Sequence, residues 1–136
     1  LLTDSVLAKR IRKYFSESPN IAVNEILLLQ VGRHFQFPAG QHLVVGRRDE
    51  ENQRLTELGQ EGDVFLKLQG IPGPLGLIRG KAEEEELRLT ASILVRYSKA
   101  KERGVVEVQY GAEVENMPGR LRVTPAKDDE IDPLRF

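Results

Sequence analysis

The sequence predicts an α+β domain: a mixed, mainly antiparallel sheet packed against two or three helices. Short apolar runs outnumber helical patterns, and they fall mostly in adjacent pairs. Each pair is joined by a turn rich in glycine or proline, which favours hairpins over a doubly wound parallel sheet. At 136 residues the chain is one domain's worth, long enough to bury roughly two-thirds of its unfolded surface around a single core.

Thr3 or Asp4 can cap a first helix with Leu7, Ile11 and Phe15 on one face and Lys9, Arg10, Arg12 and Lys13 around the rest, ending near Ser18-Pro19-Asn20. The nearly unbroken apolar run Glu25 to Val31 reads as a strand covered on both faces, interrupted by Gly32. Arg33 to Phe37 alternates polar and apolar, Pro38-Ala39-Gly40 supplies a turn, and Gln41 to Val45 returns, so Phe35 and Phe37 should face the core. The run breaks at Gly46 and restarts as a helix, with Asp49 as N-cap and Asn52 reaching back in a weak capping box. That helix closes at Gly59 or Gly62. Asp63 to Leu68 is a strand, Gln69 to Pro74 a loop, and Leu75 to Arg79 a returning strand. The clearest helix runs from Glu83 to about Arg103, acidic at its start and basic at its finish, which suits the helix dipole. Leu87, Ala91, Leu94, Val95 and Ser98 form its buried side; Arg88, Ser92, Arg96, Lys99 and Arg103 form the other. Val105 to Tyr110 and Leu121 to Val123 complete the strands, and 127–136 reads as an acidic, low-complexity tail.

The 40% hydrophobic and 30% charged composition is that of an ordinary globular protein. No apolar run is long enough for a membrane span, there is no basic-then-apolar leader, and no cysteine provides disulfides, so the cytoplasm is the expected compartment and a membrane is not an expected partner. The chain opens on Leu1 and its only methionine is Met117, so the sequence is expected to be a fragment or processed form of a longer protein. With a net charge of −1, nucleic-acid binding must rest on local clustering of Lys and Arg.

The materials for catalysis are thin. There is no thiol, and only two histidines, His34 and His42, can share one hairpin; they read either as a metal or acid–base pair or as paired surface side chains. The glutamates from Glu83 to Glu86 are explained by a helix start. The Gly70 to Gly76 loop lacks the lysine and hydroxyl of a P-loop, and its two prolines remove N–H donors. No catalytic residue, metal or cofactor is assigned.

The materials for binding are better. Arg47 and Arg48 stand at a helix mouth, where an arginine needs an anion nearby: Asp49 or Glu50 in one reading, an external phosphate in the other. The loop from Gly70 to Gly76 should lie on the same face as Arg47, with Lys67 and Arg79 on its flanking strands widening the positive surface. Tyr97 and Tyr110 are either base-stacking platforms or half-buried structure, and the Arg88, Arg96, Lys99, Arg103 stripe is either a phosphate contact or a solvated face.

Val45-Gly46-Arg47-Arg48-Asp49-Glu50-Glu51-Asn52, Asp63-Val64-Phe65-Leu66 followed by Gly70-Ile71-Pro72-Gly73, Ala91 to Lys101, and Val106 to Tyr110 together resemble the NFACT RNA-binding domain, from about Gly32 onward. That family's pattern is a strand ending in Gly-Arg-Asp with an Asn a few residues on, an Asp-led strand before a Pro-Gly loop, a helix ending in a Tyr-Ser-Lys-Ala-like segment, and a Val-rich strand. Lys67 stands where the family often has histidine, and Pro74-Leu75 where a Ser-His pair is common, so no role of those histidines transfers. The opening Leu1-Leu2-Thr3-Asp4 is similar to the end of an ATP-pyrophosphatase (PP-loop) domain of the kind that thiolates tRNA.

These resemblances imply an N-terminal helix or linker from a preceding domain over 1–22, an RNA-binding domain over 23–126 and a tail over 127–136. They imply a non-catalytic fragment that contacts tRNA or another structured RNA and partners an N-terminal catalytic domain of the same chain. The full-length protein would be a PP-loop tRNA sulfurtransferase or methyltransferase-like enzyme. The expected RNA contacts are Arg33, Arg47, Arg48, Asn52, Lys67, Arg79, Arg96 and Lys99. The alternative is a protein-interaction domain that docks the catalytic half, its basic residues solvated.

Overall fold

The computed structural model describes residues 4–17 and 23–136, excluding the side chains of residues 4 and 14–17. Two helices, α1 (Asp4–Glu17) and α2 (Val23–Leu29), lead into β1 (Arg33–Gln36) and β2 (His42–Val45); α3 (Asp49–Leu58) then precedes β3 (Val64–Leu68) and β4 (Gly76–Arg79). The chain continues through α4 (Glu84–Arg96), β5 (Val106–Gly111), β6 (Gly119–Val123) and α5 (Asp128–Ile131), with a 3-10 turn over Asp132–Leu134. The six strands form one sheet in the order β1-β2-β4-β3-β5-β6, antiparallel at every pairing. The α+β class holds.

Strand alternation divides the sheet into two faces. Phe35, Leu43, Leu66, Ile78, Val108 and Leu121 point to one, where they meet Ala91, Leu94 and Val95 of α4. Val44, Phe65 and Leu77 point to the other, where they meet Leu28 of α2 and Leu55 and Leu58 of α3. Leu43, Leu66, Leu77 and Leu94 are fully buried, and each such side chain contributes ~1.5–3 kcal/mol by leaving water.

Three local expectations are corrected. The Glu25 to Val31 run is not a strand: Val23–Leu29 is helical and covers the sheet from outside. A short apolar run fits either state by pattern alone, and leucines without β-branching leave helix open. The Asn24 amide fixes this helix by donating to the Leu58 carbonyl. The long helix ends at Arg96, about two turns earlier than expected. There the Ser98 hydroxyl donates to the Val95 carbonyl at 2.7 Å and accepts from the Ala100 N–H at 3.0 Å, replacing helical bonds with a local turn. The stretch expected as an acidic tail is folded: Ile131 and Leu134 are buried in the α4 core, and Arg135 bridges to Phe35 on the edge strand.

Leu7 and Ile11 of α1 are half-buried as its amphipathic pattern requires, and Arg10 donates to the Leu29 carbonyl at 3.1 Å. Residues 1–3 and the Phe15 side chain, which carry other expectations for this segment, lie outside the described residues.

Candidate nucleic-acid interface

The helix mouth is built around two side chains of α3, Glu51 and Asn52. The Asn52 Oδ1 accepts the Leu75 N–H at 3.1 Å, and the Gly46 N–H donates to the Leu75 carbonyl at 3.0 Å. A Cβ on residue 46 would lie 2.0 Å from Asn52 Oδ1, so only glycine lets the strand exit pass this close to the helix. The Gly70 to Gly76 loop is thereby tied to the Arg47 side of the sheet, as expected from the strand ends. Asn52 itself is a tether of that loop, and its oxygen is already engaged.

The α3 N-cap is Arg48, not Asp49, and it makes no side-chain capping bond. Arg47 is paired, but with Glu51 instead of Asp49 or Glu50: its Nε and Nη2 donate to the two carboxylate oxygens at 2.9 and 2.8 Å. The same carboxylate accepts the backbone N–H of Arg47 at 2.9 Å and of Gly32 at 3.0 Å. These bonds, the arginine's first among them, hold the Glu51 carboxyl down at about 2, and they raise the Arg47 guanidinium in turn. A helical i, i+4 spacing lets Glu51 reach under the first turn, which the adjacent Asp49 and Glu50 cannot do. Arg48 makes no ion pair or side-chain hydrogen bond among the described residues and points to solvent.

Between this mouth, the Gly70 to Gly76 loop and the turn after α4 lies a cleft of about 390 Å³. Arg33, Arg47, Arg48, Lys99 and Arg103 line it, against a single carboxylate, Asp49. Because the helix ends at Arg96, Lys99 and Arg103 leave the helical stripe and turn toward the cleft. The Arg33 guanidinium lies 4.4 Å from the centre of the Tyr97 ring, a cation–π stack that fixes both side chains. Ile71, Pro72 and Pro74 supply an apolar wall.

Of the eight expected contacts, Arg33, Arg47, Arg48, Asn52 and Lys99 meet in this cleft and three do not. Arg79 lies outside the cleft. Its guanidinium is bound to both oxygens of Asp63 at 3.0 and 2.8 Å, to Asn24 at 2.9 Å and to the Leu58 carbonyl at 3.2 Å, under the α2–α3 layer. Arg96 remains on the helix and pairs with Asp128 at 2.5 Å. Lys67 stands opposite Gln109 in the β3–β5 pairing, outside the cleft lining. Arg103, Tyr97 and the proline loop, weighed in the sequence but outside the eight expected contacts, also line the cleft. The Tyr-Ser-Lys segment was the available signal, once its serine is read as a helix stop.

His34 and His42 are buried, not a surface pair. The His34 Nε2–H donates to the Val31 carbonyl at 2.7 Å, which leaves Nδ1 as acceptor for the His42 Nε2–H at 2.8 Å. Burial holds His34 well below its ordinary value and pushes His42 down to about 3, with nearby cations adding to both shifts. Among the described residues no group of three or more His, Cys, Asp or Glu side chains is placed to hold a metal ion, and no helix is long and apolar enough to cross a membrane.

Comparison with known proteins agrees with this architecture. The C-terminal part of the fibronectin/fibrinogen-binding protein from Streptococcus suis shares the fold, with a TM-score of 0.67 at 19% sequence identity. The match covers 98% of this chain and 63% of that one. No curated protein matches. Residues 32–135, most of the chain, match the family described as the NFACT protein RNA binding domain, and the chain belongs to that family.

Proposed function

We propose that the domain binds tRNA through its sugar–phosphate backbone at the cleft between the α3 mouth and the Gly70 to Gly76 loop. In this reading it serves a cytoplasmic tRNA-modifying protein, a PP-loop sulfurtransferase or methyltransferase-like enzyme, whose catalytic domain precedes it. One observation carries the binding site: five cationic side chains converge on one cleft with one carboxylate, in a chain whose net charge is −1. Phosphate contacts require this segregation, because an even scatter of charges gives no local field to attract a polyanion. The membership in an RNA-binding family supports the same reading.

Arg48, Lys99 and Arg103 carry no ion pair among the described residues and are the phosphate contacts of choice. Gel-shift titration of bulk tRNA across salt concentrations tests them. Each of Arg48→Ala, Lys99→Ala and Arg103→Ala should flatten the slope of log affinity against log salt by ~0.7–0.9. A folded chain that shifts no tRNA at low salt would instead favour the domain as a docking surface for the catalytic half. Unchanged slopes in all three variants would move the site elsewhere.

A further inference from the structure

Given RNA binding at this cleft, as proposed above, we infer that it takes an unpaired nucleotide, its base laid against the Ile71–Pro72 wall and the Arg33–Tyr97 stack. The flanking phosphates then meet Arg48, Lys99 and Arg103. Backbone binding alone explains the cations but not what they surround. Ile71 and Pro72 line the same cleft as Tyr97, and phosphates gain nothing from such apolar surface. An A-form duplex keeps its bases stacked inside and presents phosphate and sugar outward, so it would touch the rim and leave the wall in water.

An unstacked base fits both features. It buries apolar surface and stacks on aromatic rings or on planar guanidinium groups. Arg33 is prepared for the second kind of contact. Its guanidinium is held 4.4 Å from the Tyr97 ring centre, and Arg135 lies 5.8 Å from the same ring, so Tyr97 keeps an arginine plane in place at low entropic cost. The Pro72-Gly73-Pro74 segment, tied through Leu75 to Asn52 and Gly46, fixes the apolar part of the lining. At about 390 Å³ the cleft lies within the ~300–1,000 Å³ range of small-ligand sites.

The test compares three probes on the 136-residue chain by fluorescence anisotropy: a short single-stranded RNA, the blunt-ended duplex of the same sequence, and the same single strand made fully abasic. The single strand should bind best, and removal of its bases should weaken binding by about 5- to 150-fold. Arg33→Lys, which keeps the charge and removes the plane, should lose most of the preference for single strand while leaving the salt slope unchanged. Equal affinity for all three probes, still weakened by Arg48→Ala, overturns the unpaired-nucleotide site and leaves backbone binding intact. Failure of every probe to bind at low salt overturns both.

Discussion

Replacing Glu51 by glutamine exchanges a single heavy atom and should destabilise the domain more than any surface substitution near the cleft. Glu51 is 4% exposed and its carboxylate accepts four hydrogen bonds. One oxygen takes the Arg47 N–H and Nε–H; the other takes the Gly32 N–H and Arg47 Nη2–H. A glutamine amide placed either way turns an NH2 against two donors. The Gly32 N–H or the Arg47 N–H is then left facing a donor, at ~1–3 kcal/mol for an unsatisfied buried group. Loss of the charge-assisted pair adds to this, discounted because the Arg47 side chain is 31% exposed and rehydrates in part. The sum is ~2–4 kcal/mol, short of the ~3–5 kcal/mol for breaking a fully buried pair. Urea unfolding should show a lower midpoint at unchanged m-value for Glu51→Gln and a comparable loss for Glu51→Ala, while Arg48→Ala stays within ~0.5 kcal/mol. If both Glu51 variants also stay within ~0.5 kcal/mol, the carboxylate is not what holds the helix mouth together.

Arg79→Ala should cost ~3–5 kcal/mol, because it strands the 3% exposed Asp63 carboxylate, yet leave the salt slope of tRNA binding unchanged; a flattened slope with little loss of stability would return Arg79 to the binding surface. Stability should fall as pH drops from 6.5 toward 3. His34 and His42 are neutral in the fold with depressed values, so the unfolded chain takes up protons first, at up to ~1.4 kcal/mol per pH unit for each histidine. Urea midpoints between pH 7 and 5 isolate this effect, since Glu51, depressed to about 2, contributes its own loss only below its ordinary value of 4.5; midpoints that do not move would refute it. Gly46→Ala should push Asn52 off Leu75, with ~1–3 kcal/mol of overpacking strain and weaker RNA binding, and hydrogen exchange at Leu75 should report the freed loop.

The hairpin of Phe35 and Leu43, the strands on either side of the Gly70 to Gly76 loop and the start of α4 at its glutamates were all legible in the sequence. Period-two alternation, positive-φ turns such as Gly40 and the preference of carboxylates for a helix N-terminus act over a few residues. The Glu25 to Val31 run was not legible in this way. Its apolar pattern suits helix and strand alike, and the choice was made by the sheet face that Leu28 covers beside Leu55. The cleft divides similarly. The sequence marked Arg47 and Arg48 together, but only the folded chain distinguishes their surroundings. Residue 51 reaches beneath the turn to bind one guanidinium, while the other has no ion pair among the described residues. Arg79 and Lys99 show the same limit, equally cationic in sequence. Asp63, 16 residues from Arg79, draws its guanidinium under a helix layer, while the Ser98 turn throws Lys99 outward. Arg79 is neutralised by a contact distant in the chain, of which short-range pattern carries no record, whereas the local Arg47–Glu51 pair depends on the helix beginning where the folded chain begins it.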